Sequence, residues 1–426
     1  MAKTYDLVIV GAGPTGLMAA KRAAEKGLQV VVIERKKDVS VIRRACCSHF
    51  VMDDGYEGES LLVTDGKIVF PRNRFEICYQ GRQLEITDKY FNSPKNHTIH
   101  FSHQNGHPIG IKFDKGRLLQ GLMEDCAQLG VECMLGTVAY SAQDTIDKVT
   151  VNTVRSGTKS SVTARKGVVA DGANAHLAES LGMHQERKYY HTALAEKYIV
   201  EDINGYKPRS WNFFFGCAFR SHAPVIIGPS LYGDNVVEVT VMGSKSKLPA
   251  EIFNSVSTNS PLASLFKGSK VLDRHACSLR TFNSLQVPYK GNVLAAGDSA
   301  AFIEVEVQGG LMCGHHAAEA VVNELHGKNG FEQYTAWWQK SFEFNSDDYL
   351  KVAQGYALVP AYSDDELDYL FSLTEDEVLE GTFSQYKTPK VMWGAILKHR
   401  ERIAREKPDL YQKVCTIDKM SLSRSF

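Results

Sequence analysis

The run Leu7-Val8-Ile9-Val10 followed by Gly11-Ala12-Gly13-Pro14-Thr15-Gly16 constrains this chain more than any other stretch. Four apolar residues without alternation read as a strand buried on both faces. The GxGxxG glycines then lead into the helix-favouring segment Leu17 to Lys26, which Gly27 suits to stop. Gln29 to Ile33 forms a second apolar strand that ends at Glu34. Strand, glycines, helix, strand and acid in that order make one βαβ unit, the context that separates a dinucleotide fingerprint from a chance match. Gly11 permits the tight turn, Gly13 lets backbone approach a pyrophosphate, and Gly16 lets helix and strand pack closely. Free N–H groups at the helix start, Thr15 among them, would hold the anion, and Glu34 would accept from the ribose hydroxyls. This unit alone fits FAD and NAD equally.

Length and composition narrow the class. A chain of 426 residues can bury a large core and divides into two or three domains. Formal net charge is zero, so nothing draws it globally to nucleic acid or an anionic membrane. Nine cysteines without CxxC pairs argue against a disulfide framework, a structural zinc and an iron–sulfur cluster. A strand begins almost at once and no apolar run reaches the length of a membrane span, so a cytoplasmic setting is expected.

Further along, Arg43-Arg44-Ala45-Cys46-Cys47-Ser48-His49 puts basic residues and adjacent thiols just beyond the second strand. Short alternating segments such as Lys67 to Phe70 and Glu76 to Tyr79 read as strands. Asp114 is a fitting N-cap for a helix whose apolar face is Leu118, Leu122, Cys126 and Leu129, closed by Gly130. Thr137 to Ala164 has the pattern of a small β-meander, and Gly167 to Asn174 is a strand ending in Asp171-Gly172. From Tyr189 to Leu285 aromatic and β-branched residues alternate, as in Val237 to Val241, which favours an antiparallel sheet. Its aromatics either wall an apolar pocket or form plain core.

A third strand, Val293 to Ala296, runs into Gly297-Asp298 and small residues, and Gly309-Gly310 opens a long helix from about Met312 to Leu325. Glu304 and Glu306 flank this motif, where they touch a ligand or stand as exposed charges. Met312, Cys313, His315 and His316 fit helix packing better than metal ligation, and no metal site is expected. From Phe331 onward the chain reads as helical, with Ser363 to Glu366 and Thr374 to Glu377 both fitting capping boxes. The basic run Lys398 to Arg402 is a solvated face or a peripheral contact with phosphates or lipid headgroups.

The order GxGxxG with Glu34, then Asp171-Gly172, then Gly297-Asp298 with Gly309-Gly310, resembles the FAD enzymes with the glutathione-reductase-type cofactor fold. It is most similar to the branch of aromatic hydroxylases, halogenases and geranylgeranyl reductases. Cys46-Cys47 and Phe113-Asp114 are similar to features of the geranylgeranyl reductases. The sequence differs from them at Cys47 or Ser48, where glycine is usual, and at Val305, where proline is usual. The proline-containing motif of hydroxylases, the Trp-x-Trp-x-Ile-Pro of halogenases and the cluster cysteines of electron-transfer-flavoprotein dehydrogenases have no counterpart here.

The resemblance implies an α/β fold: a Rossmann-like FAD-binding domain (1–75, 105–188 and 286–330), an inserted antiparallel β-sheet substrate domain (76–104 and 189–285) and a helical C-terminal region (331–426). It implies FAD contacts at Gly11, Gly13, Thr15, Gly16, Glu34, Arg35, Ala45, Val138, Asp171, Gly297, Asp298, Gly309 and Gly310. The Gly309 helix would stabilise negative charge on the reduced ring. The implied activity is reduction, or formation, of a carbon–carbon double bond in an apolar, isoprenoid or lipid-like substrate. Cys46 or Cys47 would supply the proton, with Arg43 and Arg44 lowering the thiol pKa. Electrons would come from an external donor, a ferredoxin, a flavoprotein or NAD(P)H, since no second fingerprint is present. An aromatic-type monooxygenase and a non-catalytic redox-responsive flavoprotein are the alternatives.

Overall fold

Every residue from Leu7 to Val10 and from Val30 to Glu34 is buried, as parallel strands covered on both faces must be. In the structure, a computed structural model describing residues 4–356 and 358–416, these strands lie at the centre of an eight-stranded sheet. Residues 1–3, 357 and 417–426, including the end of the expected C-terminal region, lie outside the described residues.

Thr4–Val10 pairs in parallel with Val30–Glu34 on one side and with Thr158–Val169 on the other. Glu132–Leu135 extends the parallel part beyond the second strand, and Val293–Ala295 lies beside Gly167 to Val169. The long strand Thr158–Val169 serves two purposes. Its first half closes the expected meander with Val138–Asp144 and Val149–Arg155, while its second half joins the parallel sheet. The carboxyl ends of the first strand, this strand and Val293–Ala295 therefore lie side by side, so Gly11, Asp171 and Gly297 emerge along one edge.

The helices are α1 (Pro14–Glu25), α2 (Lys115–Gln128), α3 (His176–Ser180), α4 (Pro249–Thr258), α5 (Glu306–Leu325), α6 (Gly330–Ser341), α7 (Tyr349–Ala353), α8 (Leu358–Ala361), α9 (Asp364–Ser372), α10 (Lys387–Leu397), α11 (Arg400–Glu406) and α12 (Pro408–Val414). Asp114 caps α2, its Oδ1 accepting from Arg117 N at 3.0 Å. The small residues of α5 let α1 approach closely. A Cβ at Gly314 would come within 2.8 Å of Met18 Cβ, and one at Gly310 within 3.1 Å of Thr15 Oγ1.

A second eight-stranded sheet holds the 189–282 segment together with Asp88–Asn92 and Thr98–Ser102. It is antiparallel except where Ser210–Phe214 meets Asp88–Asn92 and where Val378–Glu380 meets Thr98–Ser102. The aromatics of this sheet divide between roles: Phe91, Phe101 and Phe215 form core with the C-terminal helices.

The C-terminal region departs from the all-helical expectation. Ser363 and Glu366 form the anticipated capping box of α9. Thr374 to Glu377 caps nothing; Thr374 is buried, its N–H bonding back to Phe371 O, and the chain runs extended into the edge strand Val378–Glu380. The pairing available at the open edge of the second sheet outweighs the local helical preference.

Candidate cofactor and active site

At the N-terminus of α1, Gly13 is the N-cap without any side-chain cap, and Pro14 occupies a first-turn position. Each fingerprint glycine has its own geometric reason. Gly11 has φ +105° and a Cβ there would collide with the Ala170 carbonyl. A Cβ on Gly16 would overlap the Gly11 carbonyl. At Gly13, by contrast, a Cβ would meet nothing within 4 Å, leaving the helix N-terminus open to an approaching anion. Glu34 is buried beside it, its Oε2 accepting from Ala12 N and its Oε1 from Lys36 N, both at 2.8 Å. Thr15 is buried, Arg35 is exposed, and Val138 is exposed at the start of its strand. An open anion-binding helix end with an anchored acid fits a dinucleotide.

The next two motifs are bonded to each other. Asp171 Oδ1 accepts from Ser299 Oγ at 3.0 Å, its Oδ2 accepts from Leu177 N at 2.8 Å, and Ser299 Oγ accepts from Gly172 N at 3.1 Å. Gly297 has φ +67°, and a Cβ there would strike Thr15 Oγ1. Asp298 Oδ1 accepts from Val305 N at 3.0 Å, and its Oδ2 lies 3.8 Å from Arg44. Helix α5 starts at Glu306, earlier than expected, so Gly309-Gly310 falls inside its first turns. Gln308, unremarked in the sequence, is buried and accepts from Val51 N at 2.8 Å.

The thiols lie on the loop after the second strand, among Lys112 of a small three-stranded sheet, Lys115 of α2 and Lys197 of the second sheet. Lys197 donates to Cys46 O and Lys112 to Cys47 O, both at 2.9 Å. Both ammonium groups also bond the buried Glu238 Oε2, at 3.0 and 2.8 Å. Burial raises the Glu238 carboxyl, but the two lysines overcome it and hold the group below its ordinary range. Ala45 is part of the same loop, its carbonyl accepting from Cys277 Sγ at 3.5 Å.

The two thiols differ. Burial works to raise Cys46, but Lys115, with Nζ 3.5 Å from Sγ, and Lys197 prevail against Glu304 and hold it below an ordinary thiol. Burial pushes Cys47 well up, with Glu306 and Glu304 adding. Of the two arginines expected to lower the thiol pKa, Arg43 is exposed against Asp273 at 3.3 Å, and the half-buried Arg44 is paired first with Asp298 at 3.8 Å while also interacting with Cys46. Lysines distant in sequence take that role. All nine cysteines are free.

Beside the thiols, at the start of α5, a small, partly open cavity is lined by Glu57, Glu304, Glu306 and Glu343. Glu304 and Glu306 thus line an internal space and are not the exposed charges that the sequence favoured. His315 stacks on Phe75 at 4.5 Å and His316 on Trp337 at 4.0 Å, which is packing. Met312 and Cys313 are buried in the core.

A helix-end anion cradle, an anchored acid and two further strand-end motifs along one sheet edge define a protein that binds FAD, and residues 4–304 match the FAD binding domain family, to which this chain belongs. It is an FAD-dependent oxidoreductase of the geranylgeranyl reductase-like kind. Among curated relatives, digeranylgeranylglycerophospholipid reductase 2 of Methanosphaera stadtmanae is 25% identical over 85% of this chain and 89% of its own length. Digeranylgeranylglycerophospholipid reductase 1 of Methanococcoides burtonii is 24% identical over 87% of each. A geranylgeranyl bacteriochlorophyll reductase-like structure from Thermoplasma acidophilum superposes with a TM-score of 0.70 at 16% identity, covering 97% of this chain and 99% of that one. A p-nitrophenol 4-monooxygenase from Pseudomonas putida superposes with a TM-score of 0.63 at 17% identity, covering 94% and 98%.

Proposed function

We propose that this chain reduces, or in the opposite sense forms, a carbon–carbon double bond in an apolar isoprenoid or lipid-type substrate. The observation that carries the reading is the Cys46-Cys47 pair, whose backbone carbonyls are held by Lys197 and Lys112 while both lysines share the buried Glu238. The names of the relatives, which match along most of the chain, support the substrate class.

In this reading Gly11, Gly13, Thr15, Gly16, Glu34 and Arg35 hold the adenosine and pyrophosphate end of FAD. Ala45, Val138, Asp171, Gly297, Asp298, Gly309 and Gly310 surround the remainder. Asp171 works largely by positioning, since both its oxygens bond protein groups. Bound FAD supplies hydride transfer. The chain supplies orientation and the proton: Cys47, kept protonated, faces the alkene as acid, and Cys46 is the thiol that ionises more readily. The division into a discontinuous cofactor domain, a β-rich substrate domain and a C-terminal region belongs to this proposal, as does a glutathione-reductase-type cofactor fold. Both are supported by the parallel strand order and by the seating of Asp88–Asn92 and Thr98–Ser102 in the second sheet. The electrons come from an external donor, a ferredoxin, another flavoprotein or NAD(P)H.

Anaerobic photoreduction followed by addition of a digeranylgeranyl glycerophospholipid in detergent tests this. Rapid reoxidation, lost in Cys47→Ala, is expected. Reoxidation by air alone, with hydroxylation of an aromatic compound, refutes it in favour of a monooxygenase; no response to any small molecule points to a redox-responsive binder.

A further inference from the structure

The cavity at the start of α5 has a composition that the thiol chemistry does not use. Four carboxylates, Glu57, Glu304, Glu306 and Glu343, line it together with Tyr56 and Tyr349, and among the described residues no lysine, arginine or histidine does. Glu57 is 4% exposed and its Oε2 has no hydrogen-bond partner. That carboxylate fills the space beside Gly309, where a Cβ would collide with it. Glu57 and Glu306 also share an unusual backbone, with φ +51° and +55° in the left-handed region that a glutamate rarely adopts. Strain of this kind persists where surrounding structure enforces it, and it tends to cluster at functional sites. Two side chains so placed, in a space that opens to solvent, are not there as ion-pair partners.

We infer that Glu306, backed by Glu57, is the proton store of this enzyme, holding a carboxyl proton between solvent and the reacting face at the thiols. The inference rests on the reductase reading. Bound reduced FAD would supply one hydride, which carries the two electrons, to one alkene carbon; the Cys47 S–H bond breaks and its proton forms the C–H bond on the other. The thiolate then regains a proton from the Glu306–Glu57 pair, which is refilled from water through the cavity mouth. Atoms and charge balance as one alkene, one hydride and one proton giving one alkane.

The electrostatic surroundings agree. Burial raises Glu306 well above an ordinary carboxyl, with Glu304, Cys46 and Asp298 adding and Lys115 opposing. Burial likewise raises Glu57 well up, with Glu306, Glu343 and Asp298 adding, while Tyr56 bonds to it and opposes. Glu304 is raised by burial and Asp298, against Arg44 and Lys115. Burial raises Glu343 too, against the Ser384 hydroxyl that donates to both its oxygens, with Asp53 adding and Lys390 opposing. Tyr349 of α7 is pushed up by burial and the same carboxylates and stays neutral. After burial, Glu306 is the charged group that does most to keep Cys47 protonated.

Two measurements on the holoprotein decide it. Without substrate, the infrared spectrum at neutral pH should show protonated-carboxyl absorption that weakens in Glu57→Gln and again in Glu306→Gln; no such absorption in the wild type overturns the store. With digeranylgeranyl glycerophospholipid in detergent, reoxidation of the photoreduced wild type should fall as pH rises through the Glu306 pKa. Glu306→Gln should lower the rate about 100-fold and remove that pH limb, and Glu306→Asp should restore it. An unchanged rate and limb in Glu306→Gln and Glu57→Gln overturns the inference. If the lipid fails to reoxidise the wild type, the reductase reading fails, and the infrared result still decides the store.

Discussion

Replacing Gly13 by alanine separates cofactor binding from folding with one methyl group. Gly13 has φ −79° and ψ −174°, a conformation open to any L-residue, and its Cβ would meet nothing within 4 Å. The only cost to the apoprotein is the poorer N-cap, up to about 1 kcal/mol. In the proposed assignment, however, FAD would bring its pyrophosphate to the Thr15 and Gly16 N–H groups through that same space. A methyl group there weakens or breaks one charge-assisted hydrogen bond, worth about 1.5–3 kcal/mol, which is roughly 10- to 150-fold in affinity. Gly16→Ala makes the contrast. Its Cβ would lie 2.9 Å from the Gly11 carbonyl carbon and closer still to the oxygen, so it destabilises the apoprotein itself by about 1–3 kcal/mol or more. The assay is fluorescence titration of apoprotein with FAD, alongside thermal unfolding without FAD. Gly13→Ala with wild-type FAD affinity would refute the assignment of the α1 N-terminus as the pyrophosphate cradle. Gly13→Ala with a large loss of apoprotein stability would refute the reading of the space as open.

Two further outcomes follow from buried charge. Burial pushes His49 down to about 3 and His315 to about 4, so both are neutral in the fold but take up a proton on unfolding near pH 6.5. Stability is lost as pH falls below about 6.5 towards those values, at about 2 kcal/mol for each histidine by pH 5, and urea unfolding at pH 7 and pH 5 measures it. Glu238→Ala leaves the Lys112 and Lys197 ammonium groups buried without their shared carboxylate and should destabilise by about 3–5 kcal/mol in chemical denaturation.

What was legible in the sequence was local. The fingerprint, the meander and the caps of α2 and α9 each occupy one contiguous stretch in which residue type and spacing carry the physics. Contacts between distant segments were not legible. Lys112 and Lys197 meet Glu238 across 126 and 41 residues, and nothing in the alternation of their strands marks a lysine that faces inward. Arg43 and Arg44, adjacent to the thiols in sequence, were the natural candidates, but Arg43 is exposed against Asp273 and the half-buried Arg44 pairs with Asp298. The strand at Val378–Glu380 depends on a free edge at Thr98–Ser102, which Thr374 to Glu377 cannot reveal. Cys46 and Cys47 were visible as a pair, but their difference in acidity comes from Lys115 on α2 and Glu306 on α5.

The two ends of the site treat charge in opposite ways. At α1 the open N–H groups meet no side-chain acceptor, so the helix end is available to an anion. At α5 the same kind of helix end carries Glu306 in its first turn, with Glu304 and Glu57 close by. A helix N-terminus favours a nearby carboxylate by about 0.3–1 kcal/mol, up to about 2 when partly buried, which is near one pKa unit. Burial and like charge move Glu306 upward in spite of it, so the desolvation is the larger effect. The backbone at α5 therefore contributes the positive field, and the side chains contribute protons in place of negative charge. An edge built this way can accept electron density from a reduced ring without adding full negative charges of its own, as coupling hydride transfer to proton delivery requires.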